Sequence, residues 1–178
     1  MFGICKTDFY KISFTWNYFI NKRRMDIRIV HFTPNFKDDF YTLNAQWLNH
    51  YYFITPEDEV LLRNPEKIIE KGGGVFFALN GNIAVGTCAI VPESSSIFEL
   101  IKMGVDPNVQ GNGIGSLLMK ACIEFAKERK ADLITLETAV PLKAAIHLYE
   151  KFGFVKTSEE YTHPVFKRVT FKMQLLLQ

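Results

Sequence analysis

Cysteine is scarce in this sequence: Cys5, Cys88 and Cys122 are the three in 178 residues, and none forms a CxxC pair. That spacing gives no disulfide framework and no thiolate zinc site. A charge of one sign is lacking too, since 21 Lys and Arg face 19 Asp and Glu for a net +2. Composition therefore points to no nucleic-acid partner, although a local anion site stays open. His31, His50, His147 and His163 follow no metal-ligand spacing, so no metal is expected. Long hydrophobic runs are missing, and a membrane span needs ~20 mostly apolar residues. The nearest approach is the aromatic-rich segment 1–24, which Lys6, Asp8, Lys11 and Asn17 interrupt. Its Lys22, Arg23 and Arg24 follow the apolar residues, where a secretory signal carries its charge in front. Residues 1–24 read as an extension, with one domain over 25–178. Hydrophobic residues at 48%, including 16 Phe, are ample for its core. A soluble, cytoplasmic protein is expected.

Ile27–Phe32 alternates as a strand, and Thr33-Pro34 supplies an N-cap and a first-turn proline. Phe36, Phe40, Leu43 and Trp47 form one helical stripe. Thr55-Pro56-Glu57-Asp58 starts a second helix and Asn64-Pro65 a third, stopped by Gly72-Gly73-Gly74. Strands over 75–79 and 83–91 flank Asn80-Gly81, a hairpin signal, and 97–105 completes a meander. Residues 114–130 form a helix whose apolar face is Ile114, Leu117, Leu118, Ala121 and Phe125. A short strand at 133–136, a helix at 144–152 ended by Gly153-Phe154, and a strand at 169–176 follow. The fold class is α/β (α+β), a mixed, mostly antiparallel sheet flanked by helices.

The chemistry concentrates in Val105-Asp-Pro-Asn-Val-Gln110-Gly-Asn-Gly-Ile-Gly115-Ser116, a glycine-rich turn from strand to helix. Glycines let several backbone N–H groups approach one ligand, and a helix start adds unpaired donors and positive dipole. Together these suit phosphate oxygens. A Walker loop would need a lysine before Ser116, and a dinucleotide fingerprint would need glycine at 116, so both are disfavoured.

With these residues in view, the chain resembles the GNAT superfamily of acyl-CoA-dependent N-acyltransferases. Gln110-Gly-Asn-Gly-Ile-Gly115 matches the family's Gln/Arg-x-x-Gly-x-Gly/Ala signature, and Ala145-Ile-His-Leu-Tyr149-Glu-Lys-Phe-Gly-Phe154 matches its later helix and stop. The resemblance covers 25–178 and implies acetyl-CoA as co-substrate. It assigns the pyrophosphate to the amides of Gln110, Gly111, Asn112, Gly113, Ile114 and Gly115, with Ser116 beside them. It assigns pantetheine to the backbone of Met103 and Val105, near a strand bulge for which Gly104 is the candidate. One departure is Leu142, where many members carry an asparagine that touches pantetheine.

An amine of pKa ~10.4 costs about 4.6 kcal/mol to deprotonate at pH 7, so a carboxylate base is expected. The resemblance points to Glu99, on the strand feeding the signature, with Glu93 a weaker alternative. It points to Tyr149 as the proton donor to the departing thiolate, and a strand amide such as that of Met103 would hold the oxyanion. Tyr51, Tyr52 and Phe53 are candidates for an acceptor pocket. Cys88 and Cys122 read as buried small hydrophobes. The implied activity is acetyl transfer to a primary amine, on a small molecule or a peptide, by direct attack in a ternary complex. The alternative is a CoA-binding sensor or interaction module. Dimerisation is compatible with the resemblance, and nothing in the residues fixes it.

Overall fold

The computed structural model describes residues 25–166 and 168–177. The reading of 1–24 as an extension lies outside them. Strand β1 (Ile27–His31) leads through a 3-10 turn (Pro34–Phe36) into helix α1 (Lys37–Tyr51). The proline sets this turn as expected, but Thr33 makes no side-chain cap bond. Helix α2 (Pro56–Leu62) starts at a full capping box, in which Thr55 and Asp58 satisfy each other's backbone N–H. Helix α3 (Glu66–Glu70) is short. Strands β2 (Gly74–Asn80), β3 (Ile83–Pro92) and β4 (Ile97–Val105) form the meander, and the β2–β3 turn residues are Gly81-Asn82, because Asn80 already pairs with Ile83. Helix α4 (Ile114–Glu128), strand β5 (Leu133–Thr138), helix α5 (Lys143–Lys151) and strand β8 (Val169–Leu176) follow. Two short strands, β6 (Val155–Lys156) and β7 (Tyr161–Thr162), precede β8 and carry no sequence signal of their own.

The sheet order is β1-β2-β3-β4-β5-β8-β6, with β7 also on β8. Every pairing is antiparallel except β4 with β5. Both faces are covered, which is why β2 is almost wholly buried. Phe76 and Ala78 of β2 enter a core with Ile114, Leu118, Cys122 and Tyr149, beneath α4 and α5. Val75, Phe77 and Leu79 enter the other, with Phe40, Leu48, Leu62 and Ile68 from α1–α3. Helix α4 turns a slightly different stripe inward than expected. Met119, Cys122 and Ala126 are buried with Ile114, Leu118 and Phe125, while Leu117 is exposed. Helix α5 ends as its sequence indicates: the Phe154 N–H donates to the Tyr149 carbonyl at 3.1 Å, and their rings sit 5.9 Å apart.

Candidate active site

The site begins where two strands part. β4 pairs with β5 from Ile97–Leu133 to Leu100–Leu136 and no further. β5 then continues along β8 to Thr138, while β4 continues along β3 to Val105. Residues 101–105 of β4 therefore have no pairing with β5 on that side. A bulge accompanies the parting. Thr87 pairs with Gly104 and Ala89 with Ile101, so Lys102 and Met103 together oppose Cys88. Lys102 takes the strain, with φ 47, a left-handed value rare outside glycine. The bulge thus centres on Lys102 and not on the expected Gly104. Glycine is needed at 104 for another reason: a Cβ there would lie 2.8 Å from the Leu43 carbonyl oxygen, because α1 crosses β4 at this point. The extra residue also reverses the facing of side chains. Phe98 and Leu100 pack toward α4, but beyond the bulge it is Met103 and Val105 that do so.

The glycine-rich bend follows directly. Gln110 donates through Nε2 to the Val105 carbonyl at 3.0 Å, and Asn112 donates to that of Val109 at 2.9 Å, bracing the turn from within. Gly111 and Gly113 both have φ 78, and nothing lies within 4 Å of where a Cβ would project. The amides of residues 111–116 have no hydrogen-bond partner among the described residues. No acidic residue occupies the first turn of α4, and Gly113 brings no capping side chain. The bend is an open, positively polarised set of main-chain donors, so it fits a diphosphate. Gly115 has a packing role as well, since a Cβ there would meet Leu148 at 3.1 Å where α5 approaches. Leu142 sits at the start of α5 and accepts the Ala145 and Ile146 amides through its carbonyl, each at 3.0 Å.

Glu99 and Tyr149 lie on opposite faces of the sheet, and the β4–β5 parting is the break between those faces. Glu99 points to the α1–α2 side. It makes no ion pair among the described residues, and burial, reinforced by Glu93 and Glu137, pushes its carboxyl up to about 7. Lys172 and Lys102 oppose that rise. Glu93 is exposed and accepts from Thr135 Oγ1 at 3.0 Å. Tyr149 is buried beside Cys88 and Cys122, and burial first, then those thiols, pushes its phenol well above the usual range. It is therefore a neutral hydroxyl at any physiological pH. The two cysteines are buried as expected, with their sulfurs 3.3 Å apart. His147 is exposed.

The α1–α2 face also holds groups that the sequence did not disclose. Asp58, with no exposed surface, accepts from Lys102 Nζ at 2.5 Å, from Arg168 Nη2 at 2.5 Å and from the Thr55 amide at 3.2 Å. Burial pushes the Asp58 carboxyl up, but Lys102, Arg168 and Thr55 outweigh it and hold it below the ordinary range. Nearby, Glu137 accepts from Tyr161 Oη at 2.5 Å and lies 3.1 Å from His163 Nε2. His163 Nδ1 accepts the Val165 and Phe166 amides, which fixes the turn before β8. A cavity of ≈ 380 Å³ opens beside this network, walled by Tyr52, Phe53, Val140, Pro141, Phe166 and Phe171, with Glu160 and Arg168. Of the three aromatics expected to line an acceptor pocket, Tyr52 and Phe53 line this one, and Tyr51 is solvent-exposed away from it. Only the capping position of Asp58 was visible in the sequence. Its two cationic partners lie 44 and 110 residues away.

Comparison with known proteins agrees with this architecture. The acetyltransferase (GNAT) family model matches residues 26–154, and the chain belongs to that family. An uncharacterized N-acetyltransferase of Schizosaccharomyces pombe is 28% identical over 145 residues, covering 78% of this chain and 87% of that protein. An uncharacterized N-acetyltransferase of Methanocaldococcus jannaschii is 37% identical over 62 residues, 35% of this chain and 27% of that one. N-acetyltransferase 8 of Rattus norvegicus is 27% identical over 97 residues, 52% of this chain and 44% of its own length. The chain thus spans less than half of the archaeal and rat relatives. Among solved structures, a GNAT-family acetyltransferase of Staphylococcus aureus superposes with TM-score 0.76 at 22% identity, covering 85% of this chain and 99% of the other. An acetyltransferase of Salmonella typhimurium, solved with acetyl-CoA, gives 0.71 at 18% identity, covering 85% and 94%. At these identities the structures speak for the fold.

Proposed function

We propose that residues 25–178 form an N-acetyltransferase domain that moves an acetyl group from acetyl-CoA to a primary amine within one ternary complex. The observation that carries this reading is the row of unpartnered amides at 111–116 beside a strand edge left open by the β4–β5 parting. The amides from Gln110 to Gly115, with Ser116, hold the diphosphate, and the backbone of Met103 and Val105 receives the pantetheine arm as an added strand. When bound, the coenzyme supplies an acyl thioester.

The chain's own residues do the rest. Glu99 accepts a proton from the attacking ammonium, directly or through one water, and a carboxyl poised at about 7 is suited to that exchange near neutral pH. The Met103 amide, at the bulge on the open edge, is the donor for the charge that develops on the thioester oxygen as the carbon–nitrogen bond forms. As the carbon–sulfur bond breaks, the electron pair goes to sulfur, and the neutral Tyr149 hydroxyl donates a hydrogen bond to the departing thiolate. Assay of thiol release from acetyl-CoA across a panel of amines tests the reading. Amine-dependent release is expected; coenzyme binding with no transfer to any amine would favour the sensor alternative. An acetyl group trapped on Cys88 or Cys122 would contradict direct transfer.

A further inference from the structure

The cavity beside Arg168 borders a buried charge cluster and a residue with an unmatched donor. Asp58 brings one negative charge to a buried cluster in which Lys102 and Arg168 bring two positive ones, with side chains 8% and 14% exposed. Glu99, on the same face, offsets part of that positive charge through Lys102, and Arg168 is the cation of the cluster that lines the cavity wall. Its guanidinium lies between two rings, 5.2 Å from the centroid of Tyr52 and 5.0 Å from that of Phe166, so its plane is held in place. Tyr52 lines the same wall, and its hydroxyl is buried with no hydrogen-bond partner among the described residues. An orphaned hydroxyl beside an arginine suits a singly charged oxygen anion, and a carboxylate supplies the charge and the lone pairs together. Glu160, the one acidic side chain in the lining, is exposed. The rest of the wall, notably Phe53, Phe166, Phe171 and Val140, is apolar.

A continuous chain of contacts joins the cavity to the strand parting. Arg168 and Lys102 bind the two oxygens of the same Asp58 carboxylate, and Lys102 is the bulge residue at the parting of β4 and β5. In an α-amino acid the amine is only two bonds from the carboxylate carbon. We propose that the acceptor is a free amino acid with a large apolar side chain, its carboxylate received by Arg168 and the Tyr52 hydroxyl. This rests on the acetyltransferase reading for its role, but its binding chemistry is testable apart from it.

The test titrates the full chain, by calorimetry without coenzyme, with N-acetylphenylalanine and with its uncharged amide. The acid should bind about tenfold or more tightly than the amide, because a site built around a polar partner is left unpaired without it. Tyr52→Phe should lose most of that preference while melting no lower than wild type, since it removes a buried hydroxyl that has no partner. Equal binding of acid and amide, binding of neither, or full preference in Tyr52→Phe would overturn the proposal. A kinetic arm separates it from the reading beneath. If phenylalanine, its amide and phenethylamine are acetylated equally well, the acetyltransferase stands and the carboxylate site falls. If the acid binds but no amine is acetylated, the site stands and the acetyltransferase falls. Preferential acetylation of peptide N-termini, which carry no neighbouring carboxylate, would also overturn the proposal.

Discussion

Between residues 111 and 116 one short stretch supplies a whole set of donors without partners among the described residues, whereas the cluster around Asp58 joins side chains up to 110 positions apart. The first region uses main chain, and its glycines keep side chains out of the way. The second uses side chains held by burial and by mutual charge. A main-chain site tolerates changes in the identity of many neighbours but not the addition of a side chain. A side-chain site depends on each member and can be respecified by one substitution.

Four perturbations sharpen the contrast. Asp58→Ala should have the largest effect, because it strands two buried cations and removes a helix cap; chemical denaturation should show a loss of about 3–5 kcal/mol. Gly113→Asp comes next. Aspartate tolerates the left-handed backbone there, so the chain should fold, but its charge would face the diphosphate; calorimetry should show CoA affinity falling about 100-fold. Glu99→Gln should lower kcat about 100-fold and leave CoA affinity unchanged. Tyr149→Phe should lower kcat about tenfold, a milder loss because a thiolate is already a fair leaving group.

The raised carboxyl of Glu99 also predicts two opposite pH dependences. A base must be ionised to act, so kcat/KM should rise with pH through about 7, and Glu99→Gln should flatten that limb. For stability the sign reverses. The folded chain holds this proton more tightly than the unfolded chain, whose value is near 4.5. Glu99 therefore contributes stability that is fully present below about 4.5 and lost as pH rises through about 7. Thermal melting of wild type against Glu99→Gln across pH 4–8 checks this: the difference should shift in favour of the variant as pH increases.

The same contrast governs how much could be read from sequence. The order of the main elements and the glycine-rich bend were legible because they are local: capping residues, alternation and a glycine run state them within a dozen positions. The Schellman stop at Gly153-Phe154 was legible for that reason too. The bulge was misplaced by two residues, because glycine is the usual sign of such a distortion and here the left-handed position is taken by Lys102, whose ammonium is tied to Asp58. Glycine at 104 answers instead to the crossing of α1, a tertiary fact. Asp58 could be seen as a cap, but Arg168 and Lys102 as its partners could not. No local pattern marks a charge pair spanning 44 or 110 residues. Tyr52 was visible only as one of three adjacent aromatics.

In the proposed function, coenzyme capture rests on the main-chain donors at the bend. The most direct measurement is an amide NMR titration of the folded chain with CoA, with pantetheine, which lacks the diphosphate, as the control. CoA should shift the amides of residues 111–116 most strongly, and pantetheine should leave them almost unmoved. Saturable CoA binding with those amides unshifted, or no binding at all, would contradict it.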